Sequence, residues 1–139
     1  MNAVVQASPE NARDAKFYVS YLLLQKKAES GPQFSRLKDF LAVVTQYVNG
    51  EHVDDAKLER LTEQSREIAS KLKMSEEKIK ANGFKLTDQD QNTLDGTKGA
   101  IFLFGEIKRR QNNETPLSPA IRRKILGAAG IAHLKAVPN

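Results

Sequence analysis

Apolar residues recur at intervals of three and four along most of this chain, and each run is bounded by residues that favour helix ends. Such spacing places apolar side chains on one face of an α-helix. The pattern predicts an all-α fold: five helices in one bundle-like domain over residues 1–139, with 1–8 and 136–139 as frayed ends. The sequence contains no internal repeat and no linker that would separate a second domain.

The first helix is predicted over about residues 9–29. Ser8, Pro9 and Glu10 supply an N-cap, a proline at the first helical position and an acid in the first turn. The Ser30–Pro32 segment ends the helix. Apolar side chains cover most of its circumference: Ala15, Phe17, Tyr18, Val19, Tyr21, Leu22 and Leu24. A helix that is apolar on so many sides is typically buried, so we expect it at the centre of the bundle.

The second and third segments each carry one apolar face. The second runs from near Pro32 to Asn49-Gly50 and presents Phe34, Leu37, Leu41, Val44 and Val48, widened by Phe40 and Tyr47. The third opens at Asp54-Asp55 and closes at Asn82-Gly83, and two serines, Ser65 and Ser75, interrupt its apolar seam. A seam this thin favours packing within a bundle over a free-standing coiled coil. The two serines face either solvent or a second copy of the chain.

The fourth helix begins at Thr87-Asp88 and directs Leu94, Ile101, Phe104 and Ile107 inward. It also contains Gly96, Gly99 and Gly105, and each glycine weakens a helix by ~1 kcal/mol relative to alanine. Either a neighbouring backbone comes close at these positions, or the helix breaks near residues 96–99. A short strand over Ala100–Phe104 is the competing interpretation.

The fifth helix begins at Ser118-Pro119, after a polar loop over residues 111–117. Ile121, Ile125, Ala128 and Ala132, with Leu126 and Leu134 beside them, are expected to face inward. The Gly127–Gly130 segment would allow tight packing. A loop this short favours an antiparallel pair of helices four and five.

The charge of the chain is unevenly distributed. Residues 98–139 carry eight Lys or Arg against two Glu, whereas residues 1–97 carry 14 Lys or Arg against 15 Asp or Glu. Two basic triplets, Lys108–Arg110 and Arg122–Lys124, should meet at one end of the bundle. A basic end on a balanced body suggests an acidic partner, of which nucleic acid is the commonest.

The start of helix five is the best candidate for phosphate binding. Its first turn has no acid, and its free N–H groups lie beside three cations. The predicted polyanion-binding residues are Lys108, Arg109, Arg110, Arg122, Arg123, Lys124 and Lys135. Phe102 and Phe104 are expected in the core, so base stacking has no support. Since no nucleic-acid-binding signature is present either, we expect sequence-nonspecific binding to the phosphate backbone.

A different class of function fits the same charge distribution. The chain is then a protein–protein interaction subunit, a structural component or an inhibitor, that docks on an acidic protein surface. A solvated basic face without a specific role is the remaining interpretation.

Catalysis and cofactor binding have little support. The chain has no cysteine, and His52 and His133 lack partners at metal-binding spacing. The Asp88–Gly99 stretch lacks the glycine and glutamate that a calcium loop needs, and Asp95–Gly99 lacks the context of a phosphate loop. We expect no enzyme activity, no cofactor, no metal and no membrane association. The absence of a secretory signal predicts a soluble, cytoplasmic protein, and a homo-oligomer stays possible.

Overall fold

The computed structural model describes residues 9–29 and 35–130 of the chain. Within those ranges it contains five helices and no strand, as the sequence predicts. They are α1 (Pro9–Ala28), α2 (Ser35–Val48), α3 (Asp55–Ala81), α4 (Asp88–Asn112) and α5 (Pro119–Ala128). The expected frayed ends, 1–8 and 136–139, lie outside the described residues, as do Phe34, Ala132, Leu134 and Lys135.

The helix boundaries follow the local signals in the sequence. The Thr87 hydroxyl accepts a hydrogen bond from the Asp90 amide at 3.1 Å, and the Ser118 hydroxyl accepts one from the Ile121 amide at 3.3 Å. Both contacts satisfy amides that the first turn of a helix leaves unpaired. After α3, Gly83 adopts a φ of 82°, a conformation that glycine reaches at little cost. The chain can therefore reverse there and enter α4.

The centre of the bundle is α4, and the expectation that helix one is central is wrong. Both helices pack against three others, α4 against α1, α2 and α3 and α1 against α2, α4 and α5, but more residues of α4 are buried. Leu94, Ala100, Leu103, Phe104 and Ile107 of α4 are all at most 1% exposed. Burial on several sides requires small residues as well as large apolar ones, and α4 supplies them.

The α4 helix is continuous through residues 96–99, so the alternative of a strand over Ala100–Phe104 is also wrong. A Cβ atom at Gly96 would lie 2.7 Å from Cδ1 of Leu37 and 3.2 Å from Cβ of Lys27. This glycine therefore lets side chains of α1 and α2 approach α4 closely. The neighbouring backbone that the sequence suggested lies beside Gly99, where a Cβ atom would be 3.8 Å from the Ser20 carbonyl oxygen. The α1 and α4 helices run antiparallel, because Asp14 pairs with Arg110 near one end and Lys27 with Asn92 near the other.

The α5 helix packs on α1 and α2 and does not form the expected antiparallel pair with α4. Its buried residues, Ile125 and Leu126, join the core that α1 and α2 share with α4. The faces of α4 are already occupied by three other helices, so the shortness of the loop does not decide the partner of α5. A Cβ atom at Gly127 would meet no heavy atom of another described residue within 4 Å, so close packing among the described residues does not explain this glycine.

The two serines of the α3 seam have different environments. Ser65 is 0% exposed, and its hydroxyl donates to the Leu61 carbonyl at 2.8 Å. Ser75 is exposed to solvent. Of the two serines, Ser65 therefore lies inside the bundle and Ser75 faces solvent.

Candidate functional site

The fold brings the two basic triplets to the same end of the bundle, as the sequence predicts. Burial raises the pKa of the Tyr47 phenol above its usual value of 10.0, and the nearby guanidinium groups of Arg110 and Arg122 offset part of the rise. One residue from each triplet therefore acts on the same hydroxyl. How available each basic residue is to a ligand, however, depends on the ion pairs and hydrogen bonds that it already makes.

Arg110 is not available, and its expected role as a phosphate ligand has to be corrected. Its side chain is 0% exposed, and its guanidinium lies 2.7 Å from Oδ1 of Asp14. Its Nε lies 3.4 Å from Oε1 of Glu106, which is also buried. Two carboxylates from inside the bundle thus neutralise this cation. Asp14 further accepts a hydrogen bond from the Ser118 amide at 3.2 Å, which attaches the start of α5 to α1.

The side chains of Lys108 and Arg109 are partly exposed, but both already form ion pairs with carboxylates. Lys108 donates to Oε1 of Glu59 at 2.7 Å, and this hydrogen bond lowers the pKa of Glu59 and raises that of Lys108. The Arg109 guanidinium lies 3.3 Å from Oε1 of Glu106, and the Arg13 guanidinium lies 3.5 Å from Oε2 of the same carboxylate. The first triplet is therefore compensated by carboxylates from α3, α4 and α1.

The second triplet keeps more of its exposure. Arg123 and Lys124 are exposed, and the Lys124 ammonium lies 5.8 Å from the ring centroid of Tyr18. Arg122 is half-buried and donates from Nε to the Val48 carbonyl at 2.9 Å, where it caps the end of α2. Lys135 lies outside the described residues. The sequence predicts that six clustered cations form an electropositive surface at this end of the bundle. That surface is instead limited to the cations in one turn of α5.

A surface that the sequence analysis did not identify lies on α1. The face of α1 opposite the core carries Ala12, Ala15, Val19 and Leu23, all exposed. Val19 is 62% exposed and Leu23 39%, and they belong to the four large apolar side chains exposed in the described residues. The apolar circumference that suggested a central helix is therefore two faces: one is buried in the bundle, and the other has no cover among the described residues.

Next to this face, a cleft separates α1 from α4. It has a volume of about 380 Å³. It is lined by Lys16, Ser20, Leu23 and Lys27 of α1 and by Asp95, Lys98, Gly99 and Phe102 of α4. The α1 positions follow one another at steps of four, three and four, so they form one ridge of the helix. We call this feature the α1–α4 cleft.

Phe102 packs against the core, as expected, but it is only partly buried. Its ring is partly exposed in the α1–α4 cleft, and the Lys16 ammonium lies 4.4 Å from the ring centroid. Phe104, by contrast, is 0% exposed and meets Phe40 edge-to-face at 5.5 Å, as expected for a core residue. The fourth helix therefore presents one aromatic side chain among cations, which spacing alone did not reveal.

The α1–α4 cleft carries an excess of positive charge. Three lysines line it against one carboxylate, Asp95, which accepts a hydrogen bond from Gln91 at 3.0 Å. Lys27 donates to Oδ1 of Asn92 at 2.7 Å, a partner that carries no charge. Lys98 is exposed and makes no hydrogen bond or ion pair with any described residue. In residues 12–28 of α1 the sole carboxylate is Asp14, which is buried.

Within residues 9–29 and 35–130, no cluster of three or more His, Cys, Asp or Glu side chains could hold a metal ion. In the same ranges, no helix combines the length and the apolar character that crossing a bilayer requires. Comparison of the chain with protein-family models, with curated proteins and with solved structures finds no match.

Proposed function

We propose that this protein is an interaction module that binds an acidic protein partner through the outer face of α1 and the adjoining α1–α4 cleft. The observation that carries this proposal is the second apolar face of α1, which is exposed and flanked by lysines. Exposed apolar patches with a polar rim are typical of protein interaction sites. The lysine rim supplies the charge complementarity that selects an acidic surface.

The composition of this surface favours a protein over a nucleic acid. Val19 and Leu23 gain from contact with apolar groups, which a phosphate backbone does not present. A protein partner can cover these two side chains and also place carboxylates near Lys16 and Lys98. A second copy of the chain that used the same face would bring like charges together, because the exposed part of α1 has no carboxylate over residues 12–28.

A site-specific crosslink tests this function in cells that produce the protein. A photo-crosslinking amino acid at position 19 should yield a discrete protein adduct that persists after nuclease treatment. The same amino acid at position 84 is the matched control, because Phe84 is an exposed apolar residue outside this surface, at 70% exposure. Once identified and purified, the partner should bind the natural chain and lose most of its affinity for Val19→Glu.

The proposal is wrong if positions 19 and 84 give the same adducts. It is equally wrong if the adduct at position 19 disappears with nuclease, because the partner is then a nucleic acid. Since Val19 is exposed, Val19→Glu should leave the unfolding midpoint almost unchanged. Loss of binding by this variant therefore reports on the surface and not on the fold.

Binding of a nucleic-acid backbone is the second candidate function. It rests on α5, where Arg122, Arg123 and Lys124 follow one another and residues 119–128 include no acid. Retention of random DNA or RNA on a filter should then fall steeply with salt, by ~0.9 log–log units for each phosphate neutralised on duplex DNA. Replacement of Arg122 and Arg123 by alanine should reduce retention more than replacement of Lys71 and Lys78, two exposed lysines of α3. Equal losses in the two double variants would exclude α5 as the binding site.

A further inference from the structure

The α1–α4 cleft has the shape of a helix-binding groove. Its walls are two antiparallel helices, and its lining residues recur at helical spacing on both of them. From Lys16 to Lys27 it extends over three turns of α1, or ~16 Å at the rise of an α-helix. The described residues contain no strand, so no sheet edge is available there to pair with an extended segment.

The floor of the cleft consists of small residues, and two apolar side chains lie beside it. Ser20 and Gly99 form the floor, where a Cβ atom at Gly99 would lie 3.8 Å from the Ser20 carbonyl oxygen. Leu23 and Phe102 stand above this floor with part of their apolar surface exposed. A helix that lies over small residues can bring its own side chains down between these two anchors.

The charges on the rim specify the polar residues of the incoming helix. Lys16 and Lys27 lie on α1, and Lys98 lies on the opposite wall. A helix between these walls would approach cations on both sides of its apolar stripe. Carboxylates that flank the stripe would pair with them, whereas lysines at the same positions would be repelled.

We infer that the partner inserts an acidic amphipathic helix of about three turns into the α1–α4 cleft, so that it becomes a sixth helix of the bundle. This inference rests on the proposed function, since it names the element by which the acidic partner binds. The apolar stripe of that helix contacts Leu23 and Phe102, and its Glu or Asp residues face the three lysines. Val19, next to the cleft on the outer face of α1, lies at the edge of the contact.

Two designed peptides test the inference with the full chain. They share one stripe of leucine and alanine at helical spacing, and their polar faces consist of glutamate in one and lysine in the other. Fluorescence anisotropy should show that the acidic peptide binds and the basic one does not, with an affinity that falls as salt rises. Circular dichroism should show that the acidic peptide gains helicity when it binds.

Two charge reversals locate the site. Lys98→Glu should weaken binding of the acidic peptide by about tenfold, because it replaces an attraction at the rim of the cleft with a repulsion. Lys71→Glu, an exposed lysine of α3 outside the cleft, makes the same change in net charge and should have little effect. Equal effects of the two variants would mean that only overall charge is sensed, and the inference would then be wrong.

Failure of this inference can be distinguished from failure of the proposed function. Equal binding of both peptides, no binding of either, or binding without gain of helicity contradicts the helix in the cleft. If position 19 still crosslinks a discrete protein in that case, the surface binds a protein in another way. If the crosslink is absent too, both proposals fail.

Discussion

Arg110 and Asp14, which lie far apart in the sequence, form an ion pair of 2.7 Å inside the bundle. The pair joins the end of α4 to the start of α1, and it also holds the segment that leads into α5. Asp14 accepts from the Ser118 amide, and Arg110 donates to the Thr115 carbonyl at 3.5 Å. A residue that the sequence presents as one of three surface cations is therefore an internal connection between three parts of the fold.

Arg110→Ala should destabilise the protein by ~3–5 kcal/mol, because it leaves the buried carboxylate of Asp14 without its cation and removes one of the three arginines around Glu106. Denaturant unfolding followed by circular dichroism measures the change. Lys71→Ala is the control, since it removes an exposed cation of α3 and should leave the midpoint nearly unchanged. If the two variants unfold at the same denaturant concentration, the ion pair does not hold the bundle together.

Gly96→Ala should lower stability by ~1–3 kcal/mol, even though alanine is the better helix former. The added methyl group would lie 2.7 Å from Cδ1 of Leu37, which is 1% exposed and has little room to move. The same denaturant series measures the effect. A variant as stable as the natural chain would show that the close approach of α2 to α4 does not require glycine.

Gly105→Ala should have the opposite sign and stabilise the protein by ~0.5–1 kcal/mol. Outside its own helix turn, no heavy atom of the described residues lies within 4 Å of the position that its Cβ would take, so alanine restricts the unfolded chain without straining the described fold. The two glycines belong to the same helix, and each therefore serves as the control for the other. A loss of stability in Gly105→Ala would mean that the open space beside α4 has a structural role.

Stability should fall as pH rises above 10, because burial raises the pKa of both Tyr21 and Tyr47 above the usual value of 10.0. Below pH 10 the phenols are neutral in the folded and the unfolded chain, and the contribution of their burial is fully present. As pH rises further, the unfolded chain loses these protons first, so the folded state loses stability up to the raised pKa. Urea unfolding from pH 9 to 11 measures the slope.

Phenylalanine variants show whether the alkaline slope belongs to the tyrosines. Tyr47→Phe removes one phenol and should make the fall in stability less steep. Tyr21→Phe should do the same, and it also removes the hydrogen bond of 3.0 Å to the Thr45 hydroxyl, so its stability at neutral pH should be lower. Identical slopes in the natural chain and in both variants would assign the alkaline loss to other groups.

The course of the helices could be predicted because the signals that start and stop a helix are local. Thr87 and Ser118 cap the amides three residues ahead, and Pro119 fits the first turn whatever surrounds it. The identity of the central helix could not be predicted in this way. An apolar circumference such as that of α1 indicates that the helix has two apolar faces. It does not specify whether other parts of the same chain cover both of them.

The sequence by itself determined five helices, most of their boundaries and the excess of cations in the last third of the chain, since each depends on neighbouring residues or on composition. Only the tertiary structure decided which cations stay available, because ion pairs such as Lys108–Glu59 and Arg110–Asp14 form between helices. It also decided that α4 occupies the centre and that α1 keeps an exposed apolar face. Coulomb attraction and burial act between groups that are close in space, and it is the fold that sets those distances.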